Sequence, residues 1–136
     1  MKTLRQWWIA AALCASAGAA QAGCNFSWQH FGKPQMHDLI AAGLGTQVPD
    51  AFCPHANSVD IVVMTDVFVD RDGCFGYATA GLSRKGTQQM PKQRFTGLFR
   101  NAQCRSEDMA QQLARDAALG AVGAVMRNLD QSLSGL

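Results

Sequence analysis

A chain of 136 residues with a formal net charge of +2 is long enough for one domain around a single core and too short for two. Without Lys2 and Arg5, which belong to the amino-terminal leader described next, ten basic residues face ten acidic ones. Zero net charge and the lack of a recognised nucleic-acid motif both argue against nucleic acid as a partner.

Lys2 and Arg5 precede thirteen mostly apolar residues, Trp7 to Ala19, followed by Ala20-Gln21-Ala22. The run falls short of the roughly 20 residues that a membrane-spanning helix requires. A basic start, an apolar middle and small residues at the end predict a secretory signal peptide over residues 1–22, cleaved after Ala22. The alternative is a lipoprotein anchored through Cys24, although Gln21 stands where an aliphatic residue is expected. Residues 23–136 then form a single exported α+β domain, periplasmic or secreted, with no transmembrane segment of its own.

Cys14 lies in the leader, and the four remaining cysteines, Cys24, Cys53, Cys74 and Cys104, are an even set in an exported chain, the usual mark of two disulfides. Four cysteines permit three pairings. A hairpin beginning near Cys74 and a return strand ending near Cys104 favour Cys74–Cys104, which leaves Cys24–Cys53. No Cys-x-x-Cys occurs, so a metal site or redox dithiol is the weaker reading.

Cys24 to His30 alternates apolar and polar residues and predicts a short strand. Asn25-Phe26-Ser27 matches a glycosylation acceptor, relevant only to a eukaryotic secretory route. Met36, Leu39, Ile40 and Leu44 recur at helical spacing, with Gly43 or Gly45 available to end the helix. Thr46 to Ser58 reads as a loop, marked by Pro49, Pro54 and Asn57.

The most informative stretch runs from Val59 to Leu82. Val59 to Val69 is dominated by β-branched residues, with Val59, Ile61, Val63, Thr65, Val67 and Val69 on one face and Asp60 and Asp66 on the other. Asp70-Arg71-Asp72-Gly73 supplies a turn, and Cys74 to Ala80 returns as the partner strand. Asp70 and Asp72 share part of a calcium-loop pattern, but Phe68 occupies the preceding ligand position and no Glu follows at the required spacing. Arg84 to Lys92 has the composition of an exposed loop. Arg94 to Arg100 resumes a strand, with Phe95 and Phe99 on one face and Arg94 and Arg100 on the other.

Ser106 is a good N-cap, with Glu107 and Asp108 in the first turn, and the chain reads as helix to about Leu129 or Leu133. Its middle, Ala117 to Met126, is rich in small residues. Gly120 and Gly123 each cost the helix roughly 1 kcal/mol relative to Ala, so close packing is expected to offset them. That packing is either against the sheet face carrying Ile61, Val63 and Val67, or across a homodimer seam at Gly120 and Gly123. The fold expected is α+β: a small disulfide-stapled antiparallel sheet of three or four strands packed against a long C-terminal helix.

Chemistry-bearing patterns are sparse. His30, His37 and His55 fall on different predicted elements without metal-ligand spacing, no serine has nucleophile context, and no cofactor is implied. The suggestive feature is charge: Arg84, Lys85, Lys92, Arg94, Arg100 and Arg105 occur with no intervening acid, whereas Asp50 to Asp72 holds five aspartates and only Arg71. Either Asp60 and Asp66 pair across the sheet with Arg94 and Arg100 or hold that face in water, or Arg84, Lys85, Lys92, Arg94 and Arg100 form a binding surface. The second gives the working expectation of a non-enzymatic envelope binding module, inhibitor or immunity-like, for a protein or anionic partner. The alternatives are a small enzyme or metal binder using the three histidines, and a self-associating structural subunit.

Overall fold

The computed structural model describes residues 23–136; the signal peptide expected over residues 1–22, with Cys14, lies outside them. The chain runs β1 (Trp28–Phe31), α1 (Gln35–Leu44), two 3-10 turns (Gly45–Gln47 and Asp50–His55), β2 (Val59–Asp70), β3 (Gly73–Arg84), β4 (Arg94–Asn101), α2 (Glu107–Arg127) and α3 (Leu129–Ser134). The four strands form one sheet in the order β1-β2-β3-β4. β2, β3 and β4 are an antiparallel meander, as the alternating patterns imply. β1, however, runs parallel to β2, pairing Trp28 with Ile61 and Phe31 with Met64, so the sheet is mixed rather than wholly antiparallel. The reason is the connection: α1 and the two 3-10 turns carry the chain back to the starting edge, and such a crossover delivers the next strand in the same direction.

The long hairpin closes on Asp70 opposite Gly73. Gly73 takes φ 127°, a conformation in which a β-carbon is strained, and the Asp70 carboxylate accepts a hydrogen bond of 2.7 Å from the Asp72 N–H. This side-chain bond mimics a backbone turn and fixes the tip. Alternation then assigns the faces. Ile61, Val63 and Thr65 on β2 stand beside Leu82, Ala80 and Ala78 on β3, and all six are buried under the helices.

α2 lies mainly over β3 and β4. The close approach expected from its small residues is real, but the glycines that permit it are on the sheet. A β-carbon at Gly76 would fall 2.7 Å from the Ala114 Cα and nearer still to neighbouring backbone, and one at Gly97 would fall 2.7 Å from the Ala117 carbonyl oxygen. The helix answers with Ala110, Ala114, Ala117, Ala118 and Ala121, all buried. Gly120 faces open space, and Gly123 is buried beside Gln47 and Arg127. The two therefore do not line one exposed seam.

Ser106 caps α2 by accepting from the Met109 N–H at 3.2 Å. The helix does not continue unbroken to Leu133. Asn128 leaves helical geometry (φ −119°, ψ 41°), and its side-chain amide donates to the Ala124 carbonyl at 2.8 Å. A side chain that satisfies the terminal carbonyls locally competes with helix propagation. α1 packs beside α2, with Met36, Ile40 and Leu44 buried together with Val48 and Phe52. Each such side chain contributes about 1.5–3 kcal/mol on burial.

Two disulfides staple the layers. Cys24–Cys53 ties the segment before β1 to the second 3-10 turn, and Cys74–Cys104 ties the start of β3 to the segment before α2, with Cα separations of 5.7 and 5.3 Å. Both bridges fit an oxidising compartment. Because the Cys24 sulfur is bonded to Cys53, no thiol is left there for a lipid anchor. No helix among the described residues is long and apolar enough to cross a membrane.

Candidate functional site

Alternate positions of the strands face away from α2 and build the uncovered side of the sheet. Pairing sets three rungs across it: Phe31-Met64-Thr79-Thr96, Asp66-Tyr77-Leu98 and Phe68-Phe75-Arg100. On this face Phe31, Phe68 and Leu98 are 41, 55 and 64% exposed, large values for side chains that each favour burial. Phe75 and Tyr77 are half-buried between them. The Arg100 guanidinium sits 5.3 Å from the Phe75 ring centroid and donates to the Asp72 carbonyl at 3.2 Å, a cation–π arrangement that holds the charge in place over an apolar strip.

The five basic residues expected to act together are divided by the fold. Arg94 and Arg100 stand on the uncovered face, at the two ends of β4. Arg84 ends β3 opposite Val59, whose rung faces the helices. Lys85 donates to the Ala56 carbonyl at 3.4 Å, and Lys92 is exposed on the loop before β4. None of the five enters an ion pair among the described residues, where the ion pairs are Lys33–Glu107 and Arg115–Asp116.

The expected cross-sheet pairing of Asp60 and Asp66 with the arginines is therefore absent. Asp60 instead lies 4% exposed at the lower end of the same face. Its carboxylate accepts from Ser27 Oγ, from Gln29 Nε2 at 2.9 Å and from the Gly86 N–H at 3.2 Å. Burial by itself would raise this carboxyl, but those three donors and the Lys85 ammonium outweigh it and hold the group below the ordinary aspartate range. The acid thus ties β1, β2 and the loop after β3 into one unit. Pro91 folds over the same end, where a β-carbon on Gly81 would collide with it.

No family model matches the chain, and no curated protein matches it either.

Of the three histidines, two meet. His37 stacks on Trp28, with ring centroids 4.4 Å apart and planes 8° apart, and the His30 and His37 centroids lie 6.2 Å apart. His30 Nε2 is 2.8 Å from Thr65 Oγ1. Burial first, and the His37 charge second, push the His30 ring below the usual histidine range. His55 ends the second 3-10 turn and does not join them. Among the described residues no three His, Cys, Asp or Glu side chains gather as a metal site would require.

The aromatic members of the uncovered face escaped the sequence reading. Met64 and Phe68 share the even positions of β2 with Asp60 and Asp66, and Leu98 shares those of β4 with Arg94 and Arg100. The signal was present, but two charges on a face read as a solvated one.

Proposed function

We propose that this protein is an exported, non-enzymatic binding module of the cell envelope, which docks a protein partner on the uncovered sheet face. One observation carries this: Phe31, Phe68 and Leu98 are exposed on a single face, beside Phe75 and Tyr77, between two arginines that no acid neutralises. Aromatic and Arg side chains are enriched at the energetic centres of interfaces, where exposed apolar groups become desolvated. The cations select the partner, which offers an apolar patch rimmed by carboxylates. The two disulfides and the leader-like sequence over residues 1–22 support a periplasmic or secreted location, where such a partner would be met.

The test is capture from an envelope extract by the oxidised protein, followed by titration of the retained partner against variants. Leu98→Asp and the double charge reversal Arg94→Glu/Arg100→Glu should each weaken the complex by about 30-fold or more, the range of interface hot spots, with unchanged circular dichroism. Equal binding by both variants would remove the sheet face from the reading.

A further inference from the structure

Away from the sheet face, the amino end of the described residues makes a contact that the proposed docking does not use. The Gly23 N–H donates to the Asp50 carboxylate at 2.8 Å, across a sequence gap of 27 residues. Asp50 opens the second 3-10 turn, and the Cys24–Cys53 bridge joins the residue after Gly23 to that same turn. The disulfide holds the two groups near each other whether or not they attract, so their meeting costs little chain or side-chain freedom, the usual weakness of an exposed ion pair. Residue 23 also suits the contact. A β-carbon there would lie 3.2 Å from the carboxylate oxygen of Asp50, so any larger residue would crowd the acid.

The sequence singles out the same nitrogen independently. Ala20-Gln21-Ala22 puts the expected leader cleavage between Ala22 and Gly23, and Gly23 is exposed, as a residue beside a scissile bond must be. Hydrolysis adds water across that peptide bond, leaving a carboxylate on Ala22 and an α-ammonium on Gly23. The nitrogen that donates to Asp50 as an amide thereby becomes a cation with three N–H groups, and its bond to the carboxylate becomes charge-assisted on both sides. Asp50 is free to receive it: among the described residues it enters no ion pair with another side chain. Arg127 lines the same groove as Asp50 without pairing with it.

We infer that Asp50 is the receptor for the amino terminus that leader cleavage creates, so that processing, and not folding alone, completes the clamp on the segment before β1. The inference rests on the exported reading above but concerns a different part of the molecule from the docking face. Before cleavage the contact is one neutral N–H; after it, an ion pair beside a disulfide fixes the first residues of the processed chain against the 3-10 turn. Cleavage at an earlier bond would leave a neutral amide at this position, and cleavage at a later one would remove Gly23.

The test expresses the full chain with export in a bacterial host and weighs the protein recovered from the envelope by mass spectrometry. The expected species begins at Gly23 with both disulfides formed. Its α-amine should titrate above the ordinary α-amino range of about 7.7–8.0, because the carboxylate favours the charged form. At about pH 7.5 a limiting acylating reagent should therefore label Gly23 roughly two- to fourfold more slowly in the wild type than in Asp50→Asn. Asp72→Asn, at the exposed hairpin tip, should label at the wild-type rate. A Gly23 terminus labelled equally fast in wild type and Asp50→Asn would overturn the capture alone. A terminus at any other residue beyond the leader would overturn the inference and leave export standing, whereas an intact mass that retains residues 1–22 would overturn both.

Discussion

Replacing Asp60 by Asn tests whether one buried carboxylate holds three segments together. Asp60 accepts from Ser27, Gln29 and the Gly86 backbone, and hydrogen bonds to a charged group are worth about 1.5–3 kcal/mol each. The losses do not add, because an Asn oxygen keeps one or two of these donors and water reaches the others once the loop loosens. The expected net cost is about 2–3 kcal/mol near neutral pH. The pH dependence supplies an internal control. The folded-state carboxyl titrates below its ordinary value of 3.8, so its contribution is complete above that value and is lost as pH falls through the folded-state pKa. Urea denaturation of wild type and Asp60→Asn should therefore differ most near neutral pH, and the gap should narrow as the pH falls below the ordinary aspartate value. Hydrogen exchange at the Gly86 amide should accelerate in the variant at neutral pH. A stability gap below about 0.5 kcal/mol at neutral pH, or one that persists unchanged in acid, would refute the reasoning.

Glycine-to-alanine changes should have opposite signs at two positions. Gly76→Ala would drive a β-carbon into the α2 backbone and should cost about 3 kcal/mol or more, or abolish folding. Gly120→Ala meets nothing within 4 Å and should stabilise by about 0.5–1 kcal/mol; thermal melts of both separate the outcomes, and a destabilised Gly120→Ala would contradict the placement. Breaking the Cys74–Cys104 bridge by a double Ser substitution opens a loop with a sequence separation of 30. It should cost about 3–4 kcal/mol in chemical denaturation, and a loss below about 1 kcal/mol would show that the loop is already held by packing. The His30 ring titrates below 6.5 in the folded state, so its neutral form is favoured by folding. That contribution is full above 6.5 and is lost as pH falls. In a His37→Gln variant the His30 proton resonances should titrate at higher pH, yet still below the ordinary value, because burial is the larger cause. No upward movement would remove His37 as a source of the shift.

Local patterns carried much of the fold. The β-branched run from Val59 to Val69 with Asp-Arg-Asp-Gly at its end could only become a hairpin, and Ser106 with two acids after it marked where α2 begins, because strand alternation and helix capping act within a few residues. The direction of β1 was not local. Cys24 to His30 reads equally well as a parallel or an antiparallel strand, and the crossover through α1 chose between them.

The same divide explains the candidate site. Sequence placed Arg94 and Arg100 on one strand face, since a period of two is intrinsic to the backbone. It did not separate them from Arg84, because only the pairing of β3 with β2 shows that Arg84 belongs to the helix side. Nor did it reveal that Asp60 is consumed by Ser27, Gln29 and Gly86, leaving both arginines unpaired. Sequence alone determined the long hairpin, the strand after it and the start of α2; tertiary structure decided where β1 and α2 end, which charges were neutralised and which apolar side chains stayed uncovered. Those outcomes depend on neighbours brought together by folding from tens of residues away, and no local pattern encodes them.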